Sequence, residues 1–63
     1  LMAALIFDLV ESGDIETVLT EIDASPQNIN AISDSKLSLF KALLNAGYTK
    51  VAEYFFLRPE FDV

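Results

Sequence analysis

The sequence predicts an all-α chain of stacked helix-turn-helix units, with a short extended finger between one unit and the next. Three observations predict it. Apolar residues recur at spacings of three and four, which share a helix face. Two glycines, Gly13 and Gly47, each divide a pair of such stretches. The pattern also returns: Gly13 and Gly47 lie 34 apart, Pro26 and Pro59 lie 33 apart, and Ile29-Asn30-Ala31 and Phe61-Asp62-Val63 lie 32 apart. A helix pair followed by an extended segment at a period near 33 is a repeat architecture.

Taken in order, residues 2–11 read as a first helix, with Ala3, Leu5, Ile6, Leu9 and Val10 on its buried side. Gly13 ends it, because glycine takes the left-handed position after a helix without steric cost. Asp14 opens a second helix, in which Ile15, Val18, Leu19 and Ile22 form the buried stripe. Asp14 and Glu16 lie in its first turn, where the helix dipole favours negative charge. Ser25-Pro26 stops it, since proline disfavours helix at the residue before it. From Gln27 to Leu37 the composition is mostly Asn, Ser, Asp and Ile, read as an extended excursion with a turn near Ser33–Lys36.

A third helix, about Leu37 to Ala46, is apolar on nearly every side and must be covered on more than one face. Gly47 separates it from a fourth, about Thr49 to Leu57. There Val51 and Phe55, and Ala52 and Phe56, are four apart, with Lys50 and Glu53 on another side. Arg58-Pro59 ends that helix, and Glu60–Val63 begins another excursion. Sliding by 34 aligns Leu5-Ile6 with Leu39-Phe40, Leu9-Val10 with Leu43-Leu44, and Ile22 with Phe56, while Leu19 meets Glu53 and Glu21 meets Phe55. The units are therefore 1–29 and 30–63. With Leu1 in place of an initiator methionine, the chain reads as a fragment of a longer array.

Sixty-three residues make one small domain, which buries only ~60% of its unfolded surface. No cysteine or histidine supplies a disulfide or metal staple. Yet 52% of the residues are hydrophobic and the mean hydropathy is +0.38. That is more apolar surface than two hairpins can hide, so stacking is expected at both ends. The net charge of −6 is uneven: residues 1–31 hold six acids and no base, residues 32–63 four acids and four bases. This argues against nucleic acid, which needs basic patches to neutralise phosphates. It permits a basic partner for the first half, and otherwise reads as solvated faces. Leu1–Phe7 is too short to span a bilayer, which takes ~20 residues, and no cation precedes it as in a signal peptide. The absence of cysteine leaves the compartment open.

With no histidine and no cysteine, the commonest general base, the thiol nucleophile and most zinc ligands are missing. Asp14 and Glu21 share a solvated helix face, and Asp34 with Ser33 and Ser35 forms a turn cluster. No glycine-rich phosphate loop exists. The expectation is a chain that is no enzyme and carries no cofactor or metal.

At this point the residues resemble the ankyrin repeat. Gly13-Asp14-Ile15-Glu16-Thr17-Val18 looks like that family's glycine-to-second-helix segment, and from Asn30 to Phe56 the family pattern fits without a gap. Asn30-Ala31 is similar to its finger start. Ser38-Leu39-Phe40-Lys41 occupies the place of its Thr-Pro-Leu-His signature, and Gly47-Tyr48-Thr49-Lys50-Val51 that of Gly-His-x-Glu-Val. Four departures matter. Lys36 stands where the family has a finger glycine, which opens that turn to rebuilding. Leu39 replaces the proline that preorganises a helix start. Lys41 replaces a histidine whose hydrogen bonds tie repeats together. Leu43-Leu44 replaces an alanine pair, so a wider helix spacing is expected.

The resemblance implies an intracellular protein–protein interaction scaffold, whose partners are another protein and adjacent repeats of the parent chain. Recognition would fall on the finger and on the residues before each glycine: Ile32, Asp34, Ser35, Leu37, Asn45 and Ala46, with Glu11 and Ser12 in the first unit. Ile32 and Leu37 either anchor a partner or lean on an adjacent repeat. Tyr54, Phe55 and Phe56, at helical spacing, read as core. Expressed alone, the chain is expected to be weakly stable or to self-associate. Two alternatives stand beside this: a small all-helical homo-oligomerisation domain without a finger, and an ankyrin-like segment positioning a larger enzyme or effector. Paired extended backbone at Gln27–Leu37 favours the finger; continued helix favours the oligomerisation domain.

Overall fold

Each glycine turns one helix back on another. The computed structural model describes the backbone of residues 2–62 and the side chains of residues 5–62. It consists of α1 (Met2–Ser12), α2 (Ile15–Ala24), a 3-10 helix (Pro26–Asn30), α3 (Leu39–Asn45) and α4 (Thr49–Phe56). The architecture is all-α, and extended pairing among the described residues is a single isolated bridge.

The two hairpins close with the same bonds. The Asp14 amide donates to the Leu9 carbonyl at 2.9 Å and the Gly13 amide to Val10 at 3.1 Å; 34 residues on, Tyr48 donates to Leu43 at 2.8 Å and Gly47 to Leu44 at 3.0 Å. This six-to-one and five-to-two pair satisfies the last carbonyls of the first helix, and it needs a positive φ between them. Gly13 and Gly47 supply it at +82° and +92°. Asp14 is the N-cap of α2: its carboxylate accepts from the Thr17 amide at 3.3 Å and the Thr17 hydroxyl at 2.8 Å. Ser38 caps α3 by accepting from the Lys41 amide at 3.1 Å.

The segment expected to be extended throughout divides in two. Pro26–Asn30 winds into the 3-10 helix, because Ser25 and Asn28 carbonyls collect the Asn28 and Ala31 amides and the turn swings Ile29 into the core. The finger proper follows. Ile32 and Ser38 form the antiparallel bridge, and the Ser33 amide donates to Leu37 at 2.8 Å. The Lys36 amide closes the tip on the Ser33 carbonyl at 2.9 Å. Lys36 takes the left-handed conformation that glycine adopts more readily, at φ +69°. With residues up to Ser38 engaged in the finger, α3 starts at Leu39, two residues later than its apolar run suggests.

One cluster holds the hairpins together: Ile6, Val10, Val18, Ile22, Ile29, Leu39, Leu43, Ala52 and Phe55. Of the three aromatics expected in the core, Phe55 alone is sealed; Tyr54 and Phe56 are half-exposed, since consecutive helix residues point 100° apart and only one can face α3. Leu5, expected on the buried side of α1, is also half-exposed, and the side chain of Ala3 lies outside the described residues. Beyond α4 the chain is tied back by Asn30, whose amide nitrogen donates to the Glu60 carbonyl at 2.7 Å and whose oxygen accepts from the Asp62 amide at 2.7 Å.

Candidate functional site

The finger leans over the ends of α1 and α3 and encloses an open groove of about 400 Å³. Helix α1 contributes Phe7, Val10 and Glu11; α3 contributes Ala42, Asn45 and Ala46; the finger contributes Ser33, Ser35 and Leu37. The hairpin closure after each glycine sets the level at which α1 and α3 end, so Glu11 and Asn45, counterparts 34 apart, border the same hollow. The alanines leave room where larger side chains would fill it.

The lining is apolar at Phe7, Val10, Leu37, Ala42 and Ala46, with polar groups at the finger and at Asn45. Glu11 is the single charged group among the lining residues. The Ser33 hydroxyl is committed: it accepts from the Leu37 amide at 3.1 Å and lies 3.0 Å from the Ser35 hydroxyl.

Five of the residues singled out in the sequence, Glu11, Ser35, Leu37, Asn45 and Ala46, come together here. The other three do not line the groove. Asp34 is exposed at the finger tip. Ser12 turns its hydroxyl back to the Leu9 carbonyl at 3.1 Å. Ile32 borders a separate hollow of about 260 Å³ with Ile29, Asn30, Ser38, Phe40, Phe61 and Asp62. Ile32 shares a side of the finger with its bridge partner Ser38, and Leu37, next to Ser38 in extended backbone, points to the other side. Phe7, Val10, Ser33 and Ala42 line the groove without having been singled out; the available signal was Phe7, an apolar residue off the buried stripe of α1.

Charged contacts gather at the end of α4 instead. Arg58 bonds Glu60 at 3.1 Å, reaches Asp23 at 3.6 Å, and its guanidinium lies 5.8 Å from the Tyr54 ring centre. The hydrogen bond from Arg58 holds the Glu60 carboxyl below its ordinary value, and the same bond raises Arg58. Among the described residues no group of three or more acidic side chains is placed to hold a metal ion, and no helix is long and apolar enough to cross a membrane.

Compared with known proteins, the chain matches no family model, no curated protein and no solved structure.

Proposed function

We propose that this chain is an ankyrin-like, non-catalytic protein-interaction scaffold, with repeat units 1–29 and 30–63, whose groove takes an extended segment of a partner protein. The convergence of Glu11, Ser35, Leu37, Asn45 and Ala46 on one hollow carries the reading. The antiparallel bridge between Ile32 and Ser38 supports it over the fingerless oligomerisation domain. The mechanism is rigid presentation. Backbone bonds hold the finger and caps hold the helices before any partner arrives, so little conformational entropy is lost on binding. With Glu11 as the groove's charge and six acids without a base in residues 1–31, a partner segment bearing a cation fits best.

The test is selection from a random peptide display library on the immobilised chain, followed by affinity measurement. Ala46→Glu, which fills the groove, should weaken the selected peptides at least about tenfold, a loss of ~1.4 kcal/mol. Ile32→Asp, on the finger's other side, should leave them unchanged. Equal affinity for Ala46→Glu with the helical circular dichroism intact would remove the groove from consideration.

A further inference from the structure

The offset of 34 gives each side chain of the first hairpin a counterpart in the second, and burial sorts the counterparts into two faces. Ile6, Val10 and Ile22 are covered, at 2%, 2% and 1% exposure. Their counterparts are not: Phe40 is half-buried, Leu44 is 38% exposed and Phe56 51%. In the opposite sense Leu39, Leu43 and Phe55 are sealed, while their counterparts Leu5, Leu9 and Glu21 are exposed or half-buried. The second hairpin thus stands on the first as a translated copy, one face of a unit meeting the other face of the next. A head-to-tail contact of this kind leaves one unused face at each end.

The two unused faces differ in chemistry. On the second hairpin the rings of Phe40, Phe56 and Phe61 lie 5.4–6.0 Å apart, Leu57 is 80% exposed, and a hollow of about 400 Å³ opens between Phe40, Glu53, Phe56 and Leu57. On the first hairpin the counterparts of Ala42, Tyr48 and Phe55 are Asp8, Asp14 and Glu21. Ala42 and Phe55 are buried, and Tyr48 packs against the core with its hydroxyl beside Gly13, where an added Cβ would approach it to 3.0 Å. A hairpin laid on the first unit in the same way would cover three carboxylates, and residues 1–31 contain no cation to pair with them.

We propose that the face built by Phe40, Leu44, Phe56 and Leu57 docks one further helix hairpin of this chain's own pattern, and that the carboxylate-bearing face docks none. Stacking is one-ended, rather than two-ended as composition alone suggests. The occupant follows from continuity with the interface already formed between the hairpins. It must present Leu, Ala, Leu and Phe at the registers of Leu39, Ala42, Leu43 and Phe55. This goes beyond the groove reading and does not depend on what the groove takes.

The test is a tandem chain in which a copy of residues 32–63 follows Val63, the register at which Asp62 repeats Asn30. Unfolding should remain a single cooperative transition with Tm raised by at least ~10 °C. Leu44→Glu with Phe56→Glu in the original unit should cancel that gain: the tandem chain carrying both should melt within ~2 °C of the 63-residue chain carrying both, whose own loss stays below ~10 °C because both residues are partly open there. The same hairpin joined ahead of Leu1 through a copied finger should raise Tm by less than ~2 °C. No gain from the following copy, a gain that survives both glutamates, or equal gains at the two ends would overturn the proposal. So would a 63-residue chain that sediments as a dimer and becomes monomeric with Phe56→Glu, which would assign the face to a second copy.

Discussion

Replacing Lys36 by glycine should stabilise this protein, although it removes a side chain and adds no contact. Lys36 sits at φ +69°. A residue with a Cβ pays about 1–2 kcal/mol for the left-handed conformation, which glycine does not. Glycine's extra freedom in the unfolded chain takes back about 0.5–1 kcal/mol. The net expectation is a gain of about 0.5–1 kcal/mol, or roughly 2–8 °C in Tm for a domain of this size. Thermal unfolding followed by far-ultraviolet circular dichroism, with urea titration alongside, measures it. Lys36→Ala is the control: it deletes the same ammonium but keeps the strained φ, so it should stay within about 0.5 kcal/mol of the parent. Gly47→Ala runs the exchange backwards. At φ +92°, with nothing within 4 Å of the added Cβ, its cost is conformational alone, and the same two opposing terms leave a net loss of about 0.5–1 kcal/mol. If Lys36→Gly proves no more stable than Lys36→Ala, the left-handed turn is not where the strain resides and the reasoning fails.

Further outcomes are expected. Asn30→Ala removes both 2.7 Å bonds to residues 60–62 and should cost about 1–3 kcal/mol, with hydrogen exchange at the Asp62 amide accelerating before that of α4; uniform acceleration would contradict the local tether. Phe55→Ala, in the sealed core, should cost about 3–5 kcal/mol, whereas Phe56→Ala next to it should cost less than about 1.5; comparable losses would mean that the outer face is not open. Because the Arg58 hydrogen bond lowers the Glu60 carboxyl, its contribution is complete above the ordinary value of 4.5 and is lost as pH falls through the lower folded value. Glu60→Gln should therefore flatten the stability profile below pH 4.5 and leave its shape near neutrality unchanged. An unaltered acid limb would show that this half-buried pair contributes nothing measurable.

How far the sequence could be read depended on the range of the interaction concerned. The hairpin closures were legible because a helix stop is local: Gly13 and Gly47 each stand next to the residues whose carbonyls they help to satisfy. The finger's turn was legible for the same reason, from Ser33, Asp34 and Ser35. Its Lys36 was not, since a lysine gives no sign that the surrounding bonds force its φ positive. The 3-10 helix was missed because asparagine and serine suit loops of any shape, and burial of Ile29 against both hairpins selected this one. That Glu11, Asn45 and Ala46 border one hollow follows from their place just before the two glycines, which the offset of 34 marks. Phe7 was not legible, since a side chain off the buried stripe reads as solvent-facing until a finger leans across it.

The order of residues by itself determined the four α-helices of the described residues, two glycine closures and an offset of 34, because caps, turns and helix periodicity act over a few residues. Only the tertiary structure decided which of two chemically similar neighbours is covered: Phe55 rather than Phe56, Leu43 rather than Leu44, Leu37 in the groove and Ile32 outside it. A helix apolar on several sides can present any of them inward. The choice is made by where the first hairpin lies when the second packs against it, a long-range contact that no local pattern encodes.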